Sequence, residues 1–425
     1  MVESSLQDGG TRFATGAFAF LQVCRRWNEV AIGFPQLWSL WVPGAVKAWP
    51  LFHSRSKDAP LFLTWRPPLL ISTRDVLADP AIPSRIRRLD LSGNSKQLIQ
   101  FFGAFGSSPS SNVSSIRLKV PPHDEHEPNG HFARFLSSSF PKLSQLHLEN
   151  FIHNSSSPIY TTSGLTSLKL SLPRTGDNPL TPSRFSRILQ QHPNIRELDF
   201  KNAIPLPGPS GASSVPIILP RLVNLRLDDK SAAILGLMDL IDMSSPLHDV
   251  AIRFGSTHIA DDPRLVSVMK GILVPYYECR GLNHPRKVDH LTISYNSKRI
   301  YLVFNSRSRS TPGSNLRFRF DWVTETAQDI VVKDAFPLFP LDDVREFAVE
   351  GFVINKDGYR GMFRKMKNLS HLRLDELDLR PVLEALSACN HGMFRIVTKT
   401  TLVYLHVHRW ATNNPQARVV DPISP

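Results

Sequence analysis

The sequence predicts an α/β solenoid, a stack of short parallel strands joined by return segments, preceded by a small α-helical segment. Three observations lead there. The spacing Leu-x-x-Leu-x-Leu, loosely kept, recurs in order down almost the whole chain; helical signals fall between several copies; and the tryptophan-rich stretch from Phe18 to Trp41 carries no trace of the spacing.

The cleanest copy is Ile86, Leu89, Leu91 and Asn94, which fits the leucine-rich-repeat template at its diagnostic positions. Looser ones follow as Val113/Ile116/Leu118, Leu143/Leu146/Leu148, Leu165/Leu168/Leu170, Ile195/Leu198/Phe200 and Leu222/Leu225/Leu227. Leu247/Val250/Ile252, Val288/Leu291/Ile293, Val344/Phe347/Val349 and Leu369/Leu372/Leu374 continue the series, with Leu402/Leu405/Val407 as a candidate last copy. Most steps fall near the roughly 20 to 29 residues of such repeats, whereas those leading to Val288 and Val344 are far longer and require inserts. In each strand the last two apolar residues point to one side and the residue between them to the other. One repeat cannot bury that face alone, so copies stack into a parallel sheet and the chain returns along the far side. Only Asn94 and Asn296 occupy the position from which an asparagine amide would bond backbone between coils, so irregular coils are expected.

Return segments follow the same logic. Ser95 to Phe105 carries Leu98, Phe101, Phe102 and Phe105 at helical spacing. Thr181 and Pro182, ahead of Phe185, Ile188 and Leu189, read as an N-cap, a first-turn proline and an apolar face. Arg380 to Cys389 repeats the idea with Leu383 and Leu386. The long step before Val344 holds 299–304 and then Leu316, Phe318, Phe320 and Trp322 alternating with Arg317, Arg319 and Asp321, which predicts a half-buried hairpin. Its connection, 305–314, is a basic Ser/Gly/Pro-rich stretch that reads as a solvated turn or as a phosphorylation or RNA-contact site.

Composition narrows the function classes. A chain of 425 residues suits an array that grows by adding repeats. Its three cysteines, Cys24, Cys279 and Cys389, are too sparse for a zinc ribbon or a disulfide-built domain, which points to a reducing compartment, cytoplasm or nucleus. The apolar stretch Phe13 to Cys24 is too short to span a bilayer and lacks a cleavage site, so neither a membrane helix nor a signal peptide is expected. The sequons at Asn112, Asn154 and Asn368 then carry no meaning. The run from His123 to Glu127 holds five candidate ligands between proline pairs and turn residues, and that setting argues against a metal site. The sequence contains no Gly-Lys-Ser/Thr phosphate loop, no dinucleotide fingerprint, no His-Glu-x-x-His and no Gly-x-Ser-x-Gly elbow. No catalytic residue, cofactor or metal is expected, and the chain reads as a non-enzyme in which Cys24 serves packing.

The N-terminal segment carries the most specific local signal. Leu21, Cys24, Trp27 and Ala31 fall at helical spacing, and Gly33 with Pro35 supplies a stop. The run Val23-Cys24-Arg25-Arg26-Trp27-Asn28-Glu29-Val30-Ala31, then Pro35-Gln36-Leu37-Trp38, resembles the second half of the F-box motif of fungal F-box-like proteins. That family joins a short F-box to a degenerate leucine-rich array, and Pro60-Leu61-Phe62-Leu63 resembles its usual first strand. Met1 to Ala19 holds no Leu-Pro-x-Glu-Ile/Leu-like opening helix, so an N-terminally truncated F-box is expected. The resemblance implies a substrate receptor of a cullin-RING ubiquitin ligase, with a Skp-family adaptor as partner and Trp27, Leu37 and Trp38 as adaptor contacts. A segment that merely caps the apolar end of the array is the plainer reading.

The organisation expected is therefore an F-box-like segment over 1–42, a connecting helix and first strand over 43–85, an irregular repeat array over 86–407 with a hairpin insert near 299–322, and a tail over 408–425. A formal charge of +13 suggests an acidic or phosphorylated protein target. Outward strand positions supply Arg117, Lys119, Lys169, Lys201, Arg226 and Arg253 as candidate target contacts, with His147 among them and Glu149, Asp199 and Asp228 diluting the charge. A non-catalytic repeat scaffold or RNA-associated protein is the alternative.

Overall fold

The computed structural model describes residues 24–41, 49–67, 77, 79, 81–105, 112–121, 140–150, 164–173, 180–206, 216–242, 247–255, 264–277, 288–296, 299–306, 314–321, 339, 341–350, 354–375, 379–389, 394–397 and 402–405. The run His123 to Glu127, the opening segment 1–23, the stretch 307–313 and the stretch 408–425 lie outside them. The chain divides into two compact units, Met1–Pro205 and Leu206–Pro425. Among the described residues no helix is long and apolar enough to cross a membrane.

Among its described residues the first unit opens with helix α1 (Arg25–Gly33), a 3-10 turn (Pro35–Trp38) and the two-residue strand β1 (Leu40–Trp41). Helix α2 (Trp49–Ser56), strand β2 (Leu61–Trp65), helix α3 (Ala81–Arg85), strand β3 (Ile86–Ser92) and helix α4 (Ser95–Phe105) follow. Strands β4 (Ser115–Lys119), β5 (Gln145–Glu149) and β6 (Ser167–Ser171), helix α5 (Pro182–Gln191) and strand β7 (Glu197–Lys201) complete it. All seven strands run parallel, each beside the next in chain order. The strand previously expected to be first, around Leu61 to Leu63, is second; the end of the N-terminal segment pairs with it as Leu40 opposite Phe62 and Trp41 opposite Leu63.

Register explains why the leucines must be spaced as they are. Leu89, Ile116, Leu146, Leu168 and Leu198 stand opposite one another across five strands, and Leu91, Leu118, Leu148, Leu170 and Phe200 form a second such line. All ten are buried. Burying each side chain of this kind stabilises by roughly 1.5 to 3 kcal/mol before chain entropy is subtracted. The return helices close the core from behind: Phe101 of α4 lies 5.0 Å from Trp65 of β2, Phe102 and Phe105 reach Phe140, and Phe185 of α5 packs edge-on against Phe200.

Polar bonds tie the coils together at positions other than those expected. Among the described residues Asn94 bonds no neighbouring coil; its Oδ1 accepts the Gln97 backbone N–H while its own N–H donates to Gln97 Oε1, a reciprocal cap at the start of α4. The inter-coil amides come instead from Asn150 and Asn202, one residue past β5 and β7, whose Nδ2 groups donate to the Val120 and Leu172 carbonyls. Both sit at positive φ, 55° and 52°, a conformation asparagine tolerates better than most residues. Asn112, set aside as a sequon, donates to the Ser84 carbonyl, and in the second unit Asn368 does the same to Asp342. A hydroxyl ladder runs beside them, with Ser114 donating to Arg87, Ser144 to Ser114 and Thr166 to Ser144, each to the carbonyl one coil back. Thr181 precedes α5 with the proline in its first turn as expected, but its hydroxyl makes no capping bond.

The second unit contains β8 (Ile217–Ile218), β9 (Asn224–Asp229), helix α6 (Ser231–Leu240), β10 (Ile241–Asp242), β11 (Asp249–Phe254) and helix α7 (Arg264–Tyr277). Strands β12 (His290–Asn296), β13 (Arg299–Ser306), β14 (Ser314–Asp321) and β15 (Glu346–Glu350) come next. Helix α8 (Lys356–Lys365), strand β16 (His371–Asp375), helix α9 (Leu379–Ser387), and strands β17 (Phe394–Val397) and β18 (Leu402–Leu405) end it. Its main sheet runs β9-β11-β14-β13-β12-β15-β16-β17-β18. The stretch read as a hairpin insert is thus part of the sheet itself: β14 lies parallel to β11, β13 turns back antiparallel between β14 and β12, and the parallel order resumes at β15. Leu302 and Phe304 of β13 and Leu316 and Phe318 of β14 are buried, with Phe339 stacked 4.2 Å from Phe304. The segment around Leu402 runs antiparallel to β17, so it does not continue the series as another parallel coil.

Asn150 combines a left-handed backbone with a coil-to-coil bond, and two substitutions separate these roles. Asn150→Gly keeps the backbone and loses the bond, whereas Asn150→Ala loses both; we expect Ala to cost about 1 to 3 kcal/mol and Gly less, read from urea denaturation midpoints.

Candidate functional site

The N-terminal segment is held from behind. Trp38 is 2% exposed, its Nε1–H donates to the Ala31 carbonyl at 2.8 Å, Phe52 of α2 meets it edge-on at 5.6 Å, and the Arg55 guanidinium lies 4.4 Å from its ring centroid. Below it, the Phe62 amide donates to the Ser39 carbonyl, and Arg85 bonds Ser56 Oγ and the Ala59 carbonyl. These contacts join the segment to the first coils. Trp38 was expected to face a partner; it is instead the internal anchor of the segment, because an indole this buried has no surface to offer. Leu37, by contrast, is 50% exposed, and Val30, Ile32 and Phe34 are exposed with it. Cys24, read as a packing residue, is exposed as well. The backbone of Trp27 lies within α1; its side chain is outside what the structure describes.

On the first unit's outward sheet face the expected cations are present but engaged. Asp90, Arg117, His147, Lys169 and Asp199 stand in one register line across β3 to β7, and Ser92, Lys119, Glu149, Ser171 and Lys201 in the next. Glu149 accepts from both Arg117 at 3.3 Å and Lys119 at 2.6 Å, and Arg117 also reaches Asp90 at 4.0 Å. Lys169 pairs with Glu197 at 2.7 Å, and Ser167 Oγ donates to the same carboxylate at 2.8 Å. Lys201 alone of the four candidates here has no ion pair among the described residues. This face is therefore a lattice of opposite charges; an acidic ligand would have to displace Glu149 or Glu197 to reach Arg117, Lys119 or Lys169. These cations were expected as target contacts with Glu149 and Asp199 diluting the charge; Arg117, Lys119 and Lys169 are each held by a carboxylate, because residues directly opposite or two positions apart on adjacent strands lie within reach of long side chains.

Electrostatics shape the same lattice. Burial raises the Glu149 carboxyl's affinity for a proton, but the hydrogen bonds and charges of Lys119 and Arg117 outweigh burial and leave it below the ordinary carboxylate range. His147 is held below the ordinary imidazole range first by burial and then by Arg117, with Lys169 adding to the effect and Glu149 and Asp90 opposing it.

On the second unit's outward face the two remaining candidates are paired: Arg226 with Asp249 at 2.7 Å, and Arg253 with Asp228 at 3.1 Å. The adjoining strand β14 adds two arginines. Arg317 stands in register between Ala251 and Val303, and Arg319 between Arg253 and Tyr301. Arg317 is exposed and makes no ion pair among the described residues, while the Arg319 guanidinium lies 5.1 Å from the Tyr301 ring centroid. Farther along, His290 Nδ1 contacts Glu346 at 3.0 Å and its Nε2 contacts Thr292 Oγ1 at 2.9 Å, and Arg373 pairs with Glu350 at 3.7 Å. Arg317 and Tyr301 were absent from the expected contacts, although the alternation of Leu316, Phe318 and Phe320 with Arg317 and Arg319 already marked the arginines as outward-facing. No group of three or more His, Cys, Asp or Glu side chains among the described residues could hold a metal ion.

No family model matches the chain, and no curated protein matches it. Among solved structures, a chain from the crystal structure of the Rad7 and Elc1 complex in yeast aligns with a TM-score of 0.34 and 12% identity, covering 88% of this chain and 94% of that one. A likeness of that extent establishes neither function nor partner.

The depressed imidazole has a measurable consequence. A group whose proton affinity is lower in the folded state stabilises the fold above its unfolded pKa, about 6.5 for histidine, and that contribution is lost as pH falls through the lower folded value. Melting temperature should therefore drop between about pH 7 and pH 5, and His147→Gln should flatten the drop; an unchanged slope in the variant would exclude His147 as its source.

Proposed function

We propose that this chain is a target-recruiting subunit of a cullin-RING ubiquitin ligase, docking on a Skp-family adaptor through its N-terminal segment and holding protein targets on its sheet faces. One observation carries the reading. The segment that resembles the F-box motif is pinned through Trp38 and leaves Val30, Ile32, Phe34 and Leu37 exposed within a few residues of one another. Four large apolar side chains kept in water by a rigid support are what an interface needs, since ordering has already been met within the free protein.

By mechanism such a subunit is a positioning device. It performs no bond chemistry; it holds a target beside a ubiquitin-charged enzyme and raises the effective concentration of the reacting groups. The cytoplasm or nucleus is the compartment that suits this work. Adaptor contact in this reading shifts from Trp38 to its exposed neighbours, with Trp27 and Leu37 kept as contacts. The repeat faces supply breadth: many outward side chains on rigid strands, each exchangeable without disturbing the inward leucines.

Adaptor binding tests the reading directly. Purified full chain should bind a Skp-family adaptor with a Kd of about 1 µM or tighter, and Leu37→Asp should weaken it about tenfold or more with an unchanged melting temperature. Absence of adaptor binding, together with steeply salt-dependent RNA binding, would instead favour an RNA-associated scaffold.

A further inference from the structure

The outward face of the first unit's sheet is polar with two exceptions, and they stand side by side. Leu40 of β1 lies opposite Phe62 of β2, and Phe62 in turn lies opposite Arg88 of β3. The other outward positions in register across β2 to β7, from Thr64 to Lys201, are all polar. Phe62 is 40% exposed although Leu61 and Leu63 on either side of it are buried, so core packing does not account for its ring. A bulge sets its neighbourhood. Leu61 pairs with Ile86 but Phe62 with Arg88, which makes Arg87 the extra residue. The Arg87 guanidinium is drawn to the next coil, donating to the Asn112 carbonyl at 3.0 Å. Arg88 is left exposed beside Phe62, its side chain without an ion pair or hydrogen bond among the described residues. Asp90, two positions along the same strand, is approached instead by Arg117 at 4.0 Å.

An apolar pair and an open cation therefore meet at one corner of a face where Arg117, Lys119 and Lys169 are already held by carboxylates. That combination selects a ligand. A large apolar side chain seated on Leu40 and Phe62 leaves water, and a carboxylate on the same ligand meets the Arg88 guanidinium. Adjacent strands stand about 4.8 Å apart, and an extended segment returns its side chains to one side roughly every 6.6 Å. With the length of an arginine added, two residues at i and i+2 of such a segment reach Phe62 and Arg88 together. Single-stranded RNA fits less well, because it is held by successive rings along a cationic track, whereas this corner has one ring and one open cation with Asp90 next along the strand.

We propose that Leu40, Phe62 and Arg88 form a docking corner for an extended segment of a protein target that bears a large apolar residue with an aspartate or glutamate two positions from it. The proposal rests on the first unit's sheet face being a target-binding surface, and it names the class of segment that the face takes.

The test uses the purified full chain without adaptor, so that its outcome is independent of adaptor docking. A phage-displayed random nonapeptide library is selected on the unaltered chain, on Phe62→Ser and on Arg88→Glu, and a fluorescein-labelled uridine 20-mer is titrated in parallel by anisotropy. We expect the unaltered chain to enrich peptides with a large apolar residue and a carboxylate two positions apart, and the consensus peptide to bind Phe62→Ser about tenfold or more weakly. Arg88→Glu should keep the apolar position and exchange the acidic one for lysine or arginine, a reversal that a merely structural role would not produce; this variant decides alone should Phe62→Ser fail to fold. No enrichment, enrichment without the acidic position, the same acidic consensus on Arg88→Glu, or RNA binding that is lost in Phe62→Ser would each overturn the proposal. Adaptor binding that fails while the consensus holds would count against the ligase reading alone.

Discussion

Everything in this protein depends on burying one side of each short strand against the same side of its neighbours. A strand such as Gln145–Glu149 puts only Leu146 and Leu148 inward, too little apolar surface to hold five residues in place. Its stability is borrowed from Ile116 and Leu118 on one side and Leu168 and Leu170 on the other. The return segments obey the same constraint: α4 contributes Phe101, Phe102 and Phe105 to a cluster that already includes Trp65, and α8 contributes Tyr359 and Phe363 beneath Phe347.

Regular register inward forces regular register outward. Because inward residues align coil after coil, the residues between them also align, and charged side chains come to stand in lines about 4.8 Å apart. In the first unit these lines resolve into pairs, with Glu149 shared by two cations and Glu197 by Lys169 and Ser167. The result is a neutralised surface whose partially exposed pairs add little stability individually but set which charges remain open to a partner. In the second unit the extra strands break the alternation and bring Arg317 and Arg319 to the outward face, Arg317 without an ion pair among the described residues. The insertion of strands thus changes which charges face outward without changing the core rule.

The N-terminal segment shows the complementary arrangement. A repeat array needs its first coil covered, and strand β1 does this by pairing with β2 while Trp38 anchors the turn above it. Covering the end and presenting Val30, Ile32, Phe34 and Leu37 are achieved by the same few residues, one side chain turned in and its neighbours turned out. Capping and docking are therefore compatible roles for this element.

The sequence by itself determined where the strands lie and which of their residues face inward. The inward residues of the parallel repeat strands between Ile86 and Leu374 could be read from spacing alone, whereas the short strands β8 and β10 could not, because a period of two needs several residues to show itself. The helices Ser95–Phe105 and Pro182–Gln191 were legible for the same reason at period 3.6. What only the tertiary structure decided is who stands beside whom. That Asn150 and Asn202 bond the coil before them, that Arg117 finds Glu149, and that β14 enters the sheet beside β11 all depend on contacts between residues far apart in the chain. Spacing encodes the direction of a side chain, but its neighbour across the sheet is set by register and loop path, which no local pattern carries.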